Sequence, residues 1–161
     1  MAVDEDAEHD VVPVALTGLG TVAVLIGTDL EVDTRARQAA LAGADLVLSP
    51  AADLLGREPA PTDAAALRAA ELGVALVRHS TTGVGGSGLS SAFDAHGRRV
   101  ALADVGAMAA DHGREGAAMV AHLPLGGVDT AARRWGGAAA QALHAGALLT
   151  LLALLGTVML Y

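Results

Sequence analysis

The side chains able to do chemistry are few, and their spacing limits what they can do. The six histidines, His9, His79, His96, His112, His122 and His144, include no pair at metal-ligand spacing, and the chain has no cysteine. A zinc site would need carboxylates recruited from distant segments, so no metal and no other cofactor is expected. Ser87 lies in Gly-Gly-Ser-Gly, but a nucleophile elbow reads Gly-x-Ser-x-Gly and position 89 is leucine. Gly83, Gly85, Gly86 and Gly88 share only the composition of a phosphate cradle, because no lysine follows and a strand comes next instead of a helix. All ten basic side chains are arginine. Nothing local assembles a nucleophile, a base and an oxyanion hole.

Composition narrows the class further. Of 161 residues, 53% are hydrophobic but only 2% aromatic, so the core must be built from Ala, Val and Leu. Base-stacking platforms are disfavoured by that shortage, and the net charge of −8 is the wrong sign for covering phosphates. Nucleic acid is therefore not an expected partner. The absence of cysteine removes disulfides, thiolate metal sites and cysteine nucleophiles together.

The elements that would carry a site follow an α/β rhythm. Residues 1–10 are acidic and polar, and are expected to be disordered. From Val11 onward short apolar runs predict strands at 22–26, 45–49, 74–79, 89–94, 99–103 and 118–123. Helices are predicted over Asp33 to Ala42, ending at Gly43, and over Thr62 to Leu72, ending at Gly73. Residues 81–88 are too rich in glycine to be anything but a loop. Asp94 to Gly97, between two predicted strands, reads as a hairpin turn.

The end of the chain differs in kind. Residues 136–161 carry no formally charged side chain. As a helix they would reach about 39 Å, against the roughly 30 Å of a bilayer core. Arg133, Arg134 and Trp135 precede this stretch as interfacial anchors would. A transmembrane helix is predicted over 138–161, since a small domain has little room to bury a helix apolar on every face.

Over most of its length the chain resembles a known family. Val22 to Arg37 (VAVLIGTDLEVDTRAR) resembles the nucleophile segment of the carbon-nitrogen hydrolase, or nitrilase, superfamily, in which an apolar strand meets Ile-Cys-Tyr-Asp/Glu and then a helix reaching an arginine. Ile26, Gly27, Thr28 and Asp29 fall on those positions. Ala52 and Asp53 fall on the family's Asn-Asp loop. Arg68 to Gly73 resembles Arg-Ala-x-Glu-x-Gly, with Arg68 and Glu71 in place. Ser80 to Gly83 and Gly88 to Gly97 resemble its Asn-x-Gly segment and its hairpin, with extra residues between them. Thr130-Ala-Ala-Arg-Arg134-Trp-Gly136 is similar to the Thr-x-Tyr-x-Arg-x-Gly motif that leads apolipoprotein N-acyltransferases into a last membrane helix.

The resemblance implies the C-terminal half of a nitrilase-like α-β-β-α sandwich over 11–129, a linker over 130–137, and one membrane span. It implies a reaction that moves a fatty acyl chain from phospholipid to the N-terminal amine of a lipoprotein, on the extracytoplasmic side. It also implies that the reaction fails here. The superfamily uses a Glu base, a Lys and a Cys nucleophile, whereas Gly27 holds the nucleophile position and no lysine occurs. The Thr28 amide is the one oxyanion donor the resemblance retains. Asp29, Asp53, Arg68 and Glu71 are the candidate binding residues. Three readings follow: an inactive remnant of an acyltransferase, a membrane-anchored module that binds lipid, lipoprotein or a partner subunit, or one half of a split enzyme completed by an upstream membrane subunit.

Overall fold

The computed structural model describes residues 11–18, 20–52, 60–80, 88–104 and 118–159, without the side chains of 60, 61, 137, 139–141 and 151–159. The acidic start, Asp53, the loop 81–87 with Ser87, and His9 and His112 lie outside the described residues.

Strands β1 (Val14–Leu16), β2 (Gly20–Val24), β3 (Leu46–Ala51), β4 (Ala75–Ser80), β5 (Leu89–Phe93) and β6 (Arg99–Asp104) form one six-stranded sheet in chain order. The central pairs β2–β3 and β3–β4 are parallel, and the outer pairs are antiparallel. Each parallel pair requires a crossover, supplied by helices α1 (Asp33–Leu41) and α2 (Ala60–Leu72). This is the expected α/β fold, with both described crossover helices packed into one core on one side of the sheet.

Register shows why. Ala23, Val47, Leu76 and Phe93 are direct partners across β2, β3, β4 and β5, so they form one row on one face. Against this row pack Ala36, Ala39 and Ala40 of α1 and Ala65, Ala69 and Leu72 of α2, at the spacing of a helix stripe. Alanine on the helix side lets the layers approach closely, and the larger Val47 and Leu76 fill the sheet side. Full burial of such a side chain contributes roughly 1.5–3 kcal/mol. The adjacent row, Val24, Leu48, Val77 and Ala92, points to the opposite face.

Three boundaries differ from the sequence expectation. Strand β2 begins at Gly20 and stops at Val24, because the chain turns at Gly27 and takes Ile26 out of the ladder. Strand β1 was not expected; its three residues return through Thr17 and Gly18 to pair with β2. The strand expected at 118–123 does not form, since residues 118–130 contain no strand. Its apolar alternation finds no ladder partner, and the segment is held instead by the Val128 amide donating to the Gly73 carbonyl at 2.7 Å.

Helix α3 (Ala131–Met159) starts on the ends of α1 and α2. Thr130 caps it, accepting the Arg133 amide at 3.0 Å while its own hydroxyl donates to the Glu71 carbonyl. Arg133 donates to the carbonyl of Ala40, and Arg37 donates back to the Arg133 and Arg134 carbonyls at 3.2 and 3.3 Å. The Arg133 side chain is thus spent on α1, Arg134 pairs with Asp129, and Trp135 stays 65% exposed. Residues 131–137 are therefore helical. No helix among the described residues is long and apolar enough to cross a membrane; the end of the span expected at 138–161 lies among side chains outside the description.

Candidate functional site

The position the sequence singles out, Gly27, sits on a sharp turn between β2 and α1. Leu25 continues the parallel pairing by donating its amide to the Leu48 carbonyl at 2.9 Å, and Ile26 is still extended. At Gly27 φ becomes +59°, a left-handed value that glycine adopts without strain. A single 3-10 turn, Gly27–Leu30, follows and is fixed at both ends. The Asp29 amide donates to the Ile26 carbonyl at 3.1 Å, and the Ile26 amide donates to Asp29 Oδ2 at 3.3 Å. Leu30, 3% exposed, plugs the turn into the core.

This is strand-to-helix elbow geometry, the arrangement that lifts a nucleophile off the end of a sheet. A β-carbon built on Gly27 meets nothing within 4 Å, so a side chain there would stand in open space. Thr28 follows in the first turn, where amides have no partner inside their own helix. The turn has the backbone of a strand-to-helix elbow, and its glycine carries no side chain.

The other candidates fall into two groups. Asp29 belongs to the elbow, with Oδ1 3.6 Å from Arg35 Nε. Arg68 and Glu71 stand behind it on α2: Arg68 Nη1 is 2.9 Å from Glu71 Oε2 and 2.8 Å from Asp33 Oδ1, and Nη2 donates to the Glu31 carbonyl at 3.1 Å. Arg68 therefore ties α2 to the segment leaving the elbow. The i, i+3 spacing of Arg68 and Glu71 reveals their pairing in sequence, but nothing local points to Asp33 or Glu31.

A second polar pair was not singled out. His79 Nδ1 lies 3.2 Å from Ser90 Oγ, which also accepts the Ser80 amide at 3.2 Å. His79 is exposed, whereas Ser90 is 3% exposed. The pair can orient an imidazole at the C-terminal end of β4, but the buried hydroxyl is not offered to a substrate. On the helix-facing side, Ser49, Arg78 and Ser91 share one register row, and the hydroxyls of Ser49, Ser80 and Ser91 are buried with no hydrogen-bond partner.

Among the described residues no cluster of three or more His, Asp or Glu is placed to hold a metal ion. Local charge acts at the β5–β6 turn and at the start of α3. Burial pushes the Asp94 carboxyl up, and the amides of Arg98 and His96, each donating at 2.9 Å, outweigh it and hold the group below its ordinary range. Hydrogen bonding to Arg134 lowers Asp129 and raises Arg134.

No family model and no curated protein matches the chain. Solved structures do. A variant amidase from Nesterenkonia sp., carrying the acetamide moiety of fluoroacetamide on its active-site cysteine, matches with TM-score 0.55 and 28% identity over 61% of this chain and 38% of its own. The Nit3 protein of Saccharomyces cerevisiae, a member of branch 10 of the nitrilase superfamily, matches with TM-score 0.54 and 23% identity over 59% of this chain and 37% of its own. A carbon-nitrogen hydrolase from Helicobacter pylori gives TM-score 0.51 and 23% identity over 57% and 39%. The fold is nitrilase-like. The chain spans well under half the length of these structures, none of which is an apolipoprotein N-acyltransferase.

Proposed function

We propose that the chain is a catalytically silent relative of the apolipoprotein N-acyltransferases, tethered to a membrane by α3 and acting as a binding module. The observation that carries this reading is Gly27: the elbow is built, its φ suits a nucleophile turn, and the residue on it has no side chain. Acyl transfer through a thioester needs a covalent nucleophile, a base and an oxyanion hole together, and their effects are strongly non-additive. The Thr28 amide fills only the last role. No cysteine occurs in the 161 residues to supply the nucleophile, and no lysine to support the oxyanion as the superfamily's does.

Support for the tether is the uncharged stretch 136–161 continuing a helix whose root is clamped to α1 and α2. In this reading the domain lies on the extracytoplasmic side of the cell membrane, with membrane lipid as its first partner. The tests are an intact-mass measurement after incubation with phospholipid and a carbonate wash. An unchanged mass and retention with the membrane are expected; an acyl adduct on the wild-type chain would end the silent-relative reading, and full release would end the tether.

One observation favours a second reading, half of a split acyltransferase. The row containing Val24, Leu48 and Val77 faces away from both helices, and Val24 is 52% exposed. A partner chain supplying a second sheet would cover it, and a lipoprotein would then be the acyl acceptor. An upstream reading frame with several membrane spans and the Glu and Lys would favour this reading or the remnant; an unrelated neighbour would favour the module.

A further inference from the structure

The two margins of the sheet are built differently. β6 carries Arg99 and Asp104 and shifts register opposite Ala92 and Phe93, and charge and a bulge are common devices that keep an edge strand from pairing outward. β1 has neither. Its three residues, Val14, Ala15 and Leu16, are all exposed, Val14 by 59% and Leu16 by 43%, and among the described residues no strand lies outside it. Residues 11–28 carry no charged side chain, on a chain whose net charge is −8. Pro13 precedes the strand and removes only its own donor.

The strand is also complementary to itself. Two copies related by a two-fold axis normal to the sheet pair antiparallel, and opposed side chains share a face only when their residue numbers have an even sum. Centred on Ala15, that register sets Val14 of one copy opposite Leu16 of the other, twice, and Ala15 opposite its own counterpart. Val14 pairs with Val22, and Val22 lies two residues from Val24, so these apolar pairs fall on the face turned away from the helices. Leu16 of the second copy then extends the apolar wall of a concavity of about 340 Å³ lined by Val12, Val14, Val22 and Val24. Charge selects the same margin: two molecules of net charge −8 repel over most of their surface and least where an uncharged stretch faces itself.

We infer that this margin takes a second copy of the chain, β1 pairing antiparallel with β1 about Ala15 and joining the two six-stranded sheets into one. A three-residue ladder falls short of the roughly 800 Å² per partner of a standard interface, so the dimer is a weak one in exchange with monomer. The inference stands apart from the tether and from the silent elbow, since it uses neither α3 nor Gly27.

The test uses the full chain in detergent micelles. The chain has no cysteine, so Ala15→Cys introduces the only thiol, and across the two-fold axis the two Cβ atoms lie about 4.5–5.5 Å apart, within a small shift of disulfide distance. Mild oxidation is expected to give a covalent dimer with Ala15→Cys and little with Val100→Cys, at a side chain 43% exposed on the opposite margin. Adding Val14→Lys to Ala15→Cys should lower the dimer yield about tenfold, because an ammonium then faces Leu16 of the other copy. A second measurement needs no variant: in the wild-type chain, amide exchange across β1 should slow as protein concentration rises while that of β3 stays constant. No covalent dimer, equal dimer from Val100→Cys, a yield indifferent to Val14→Lys, or β1 exchange independent of concentration would overturn the inference. A dimer in sedimentation whose β1 amides exchange as in the monomer would place the contact elsewhere and overturn it as well.

Discussion

Arg68 Nη1 bridges Asp33 and Glu71, 2.8 Å from one carboxylate and 2.9 Å from the other, and so joins the two crossover helices behind the elbow. The Arg68 side chain is 19% exposed and Asp33 is 62% exposed, so solvent screens this network on one side. Arg68→Ala is expected to cost about 1–2 kcal/mol in chemical denaturation, and Arg68→Lys to recover less than half of it, because an ammonium cannot span three acceptors in fork geometry.

Gly27 and Gly73 should respond differently to a side chain. At Gly27 the φ of +59° penalises any side chain but the space is open, so Gly27→Ala is expected to cost about 1–2 kcal/mol and to fold. At Gly73 a β-carbon would collide with the Val128 carbonyl. Gly73→Ala should cost more and should also loosen α3, read as faster amide exchange at Val128 and across the first turn of α3.

In the core, a cavity and an orphaned hydroxyl have opposite signs. Leu76 is fully buried in the central row, and Leu76→Ala should cost about 2–5 kcal/mol. Ser91, equally buried with no partner for its hydroxyl, should tolerate alanine within about 0.5 kcal/mol or gain stability. Thermal denaturation of the two variants checks both.

Asp94 sets an acid limit on the β5–β6 turn. Its folded pKa is lowered, so its contribution is complete above the ordinary carboxylate range and is lost as pH falls through the lowered value. The stability gap between wild type and Asp94→Asn is expected to be widest near neutrality and to close in acid. A gap that stays constant with pH would show that the carboxylate charge is not what holds the turn.

These behaviours divide along the same line as what could be read in the sequence. The periods of α1, α2 and β3 to β6 and the Asp94 turn are local signals, and the structure places those elements within two residues of their expected bounds. The pairing of Arg68 with Asp33 spans 35 residues, so no window of sequence contains it. The alternation at 118–123 looks like a strand because periodicity cannot say whether a neighbouring edge is free. At the elbow, the family resemblance pointed to Gly27, but the positive φ and the empty space above it belong to the backbone, which a glycine leaves unspecified.

An elbow whose glycine carries no nucleophile is expected to turn over no substrate. The most direct measurement offers the full wild-type chain and Gly27→Cys, each without any partner, phospholipid and a lipopeptide amine, and follows N-acylated product by mass spectrometry. No product is expected from either, since a thiol in open space at position 27 would still have no lysine in the chain to support the oxyanion; turnover by wild type, or by Gly27→Cys alone, would contradict this reading.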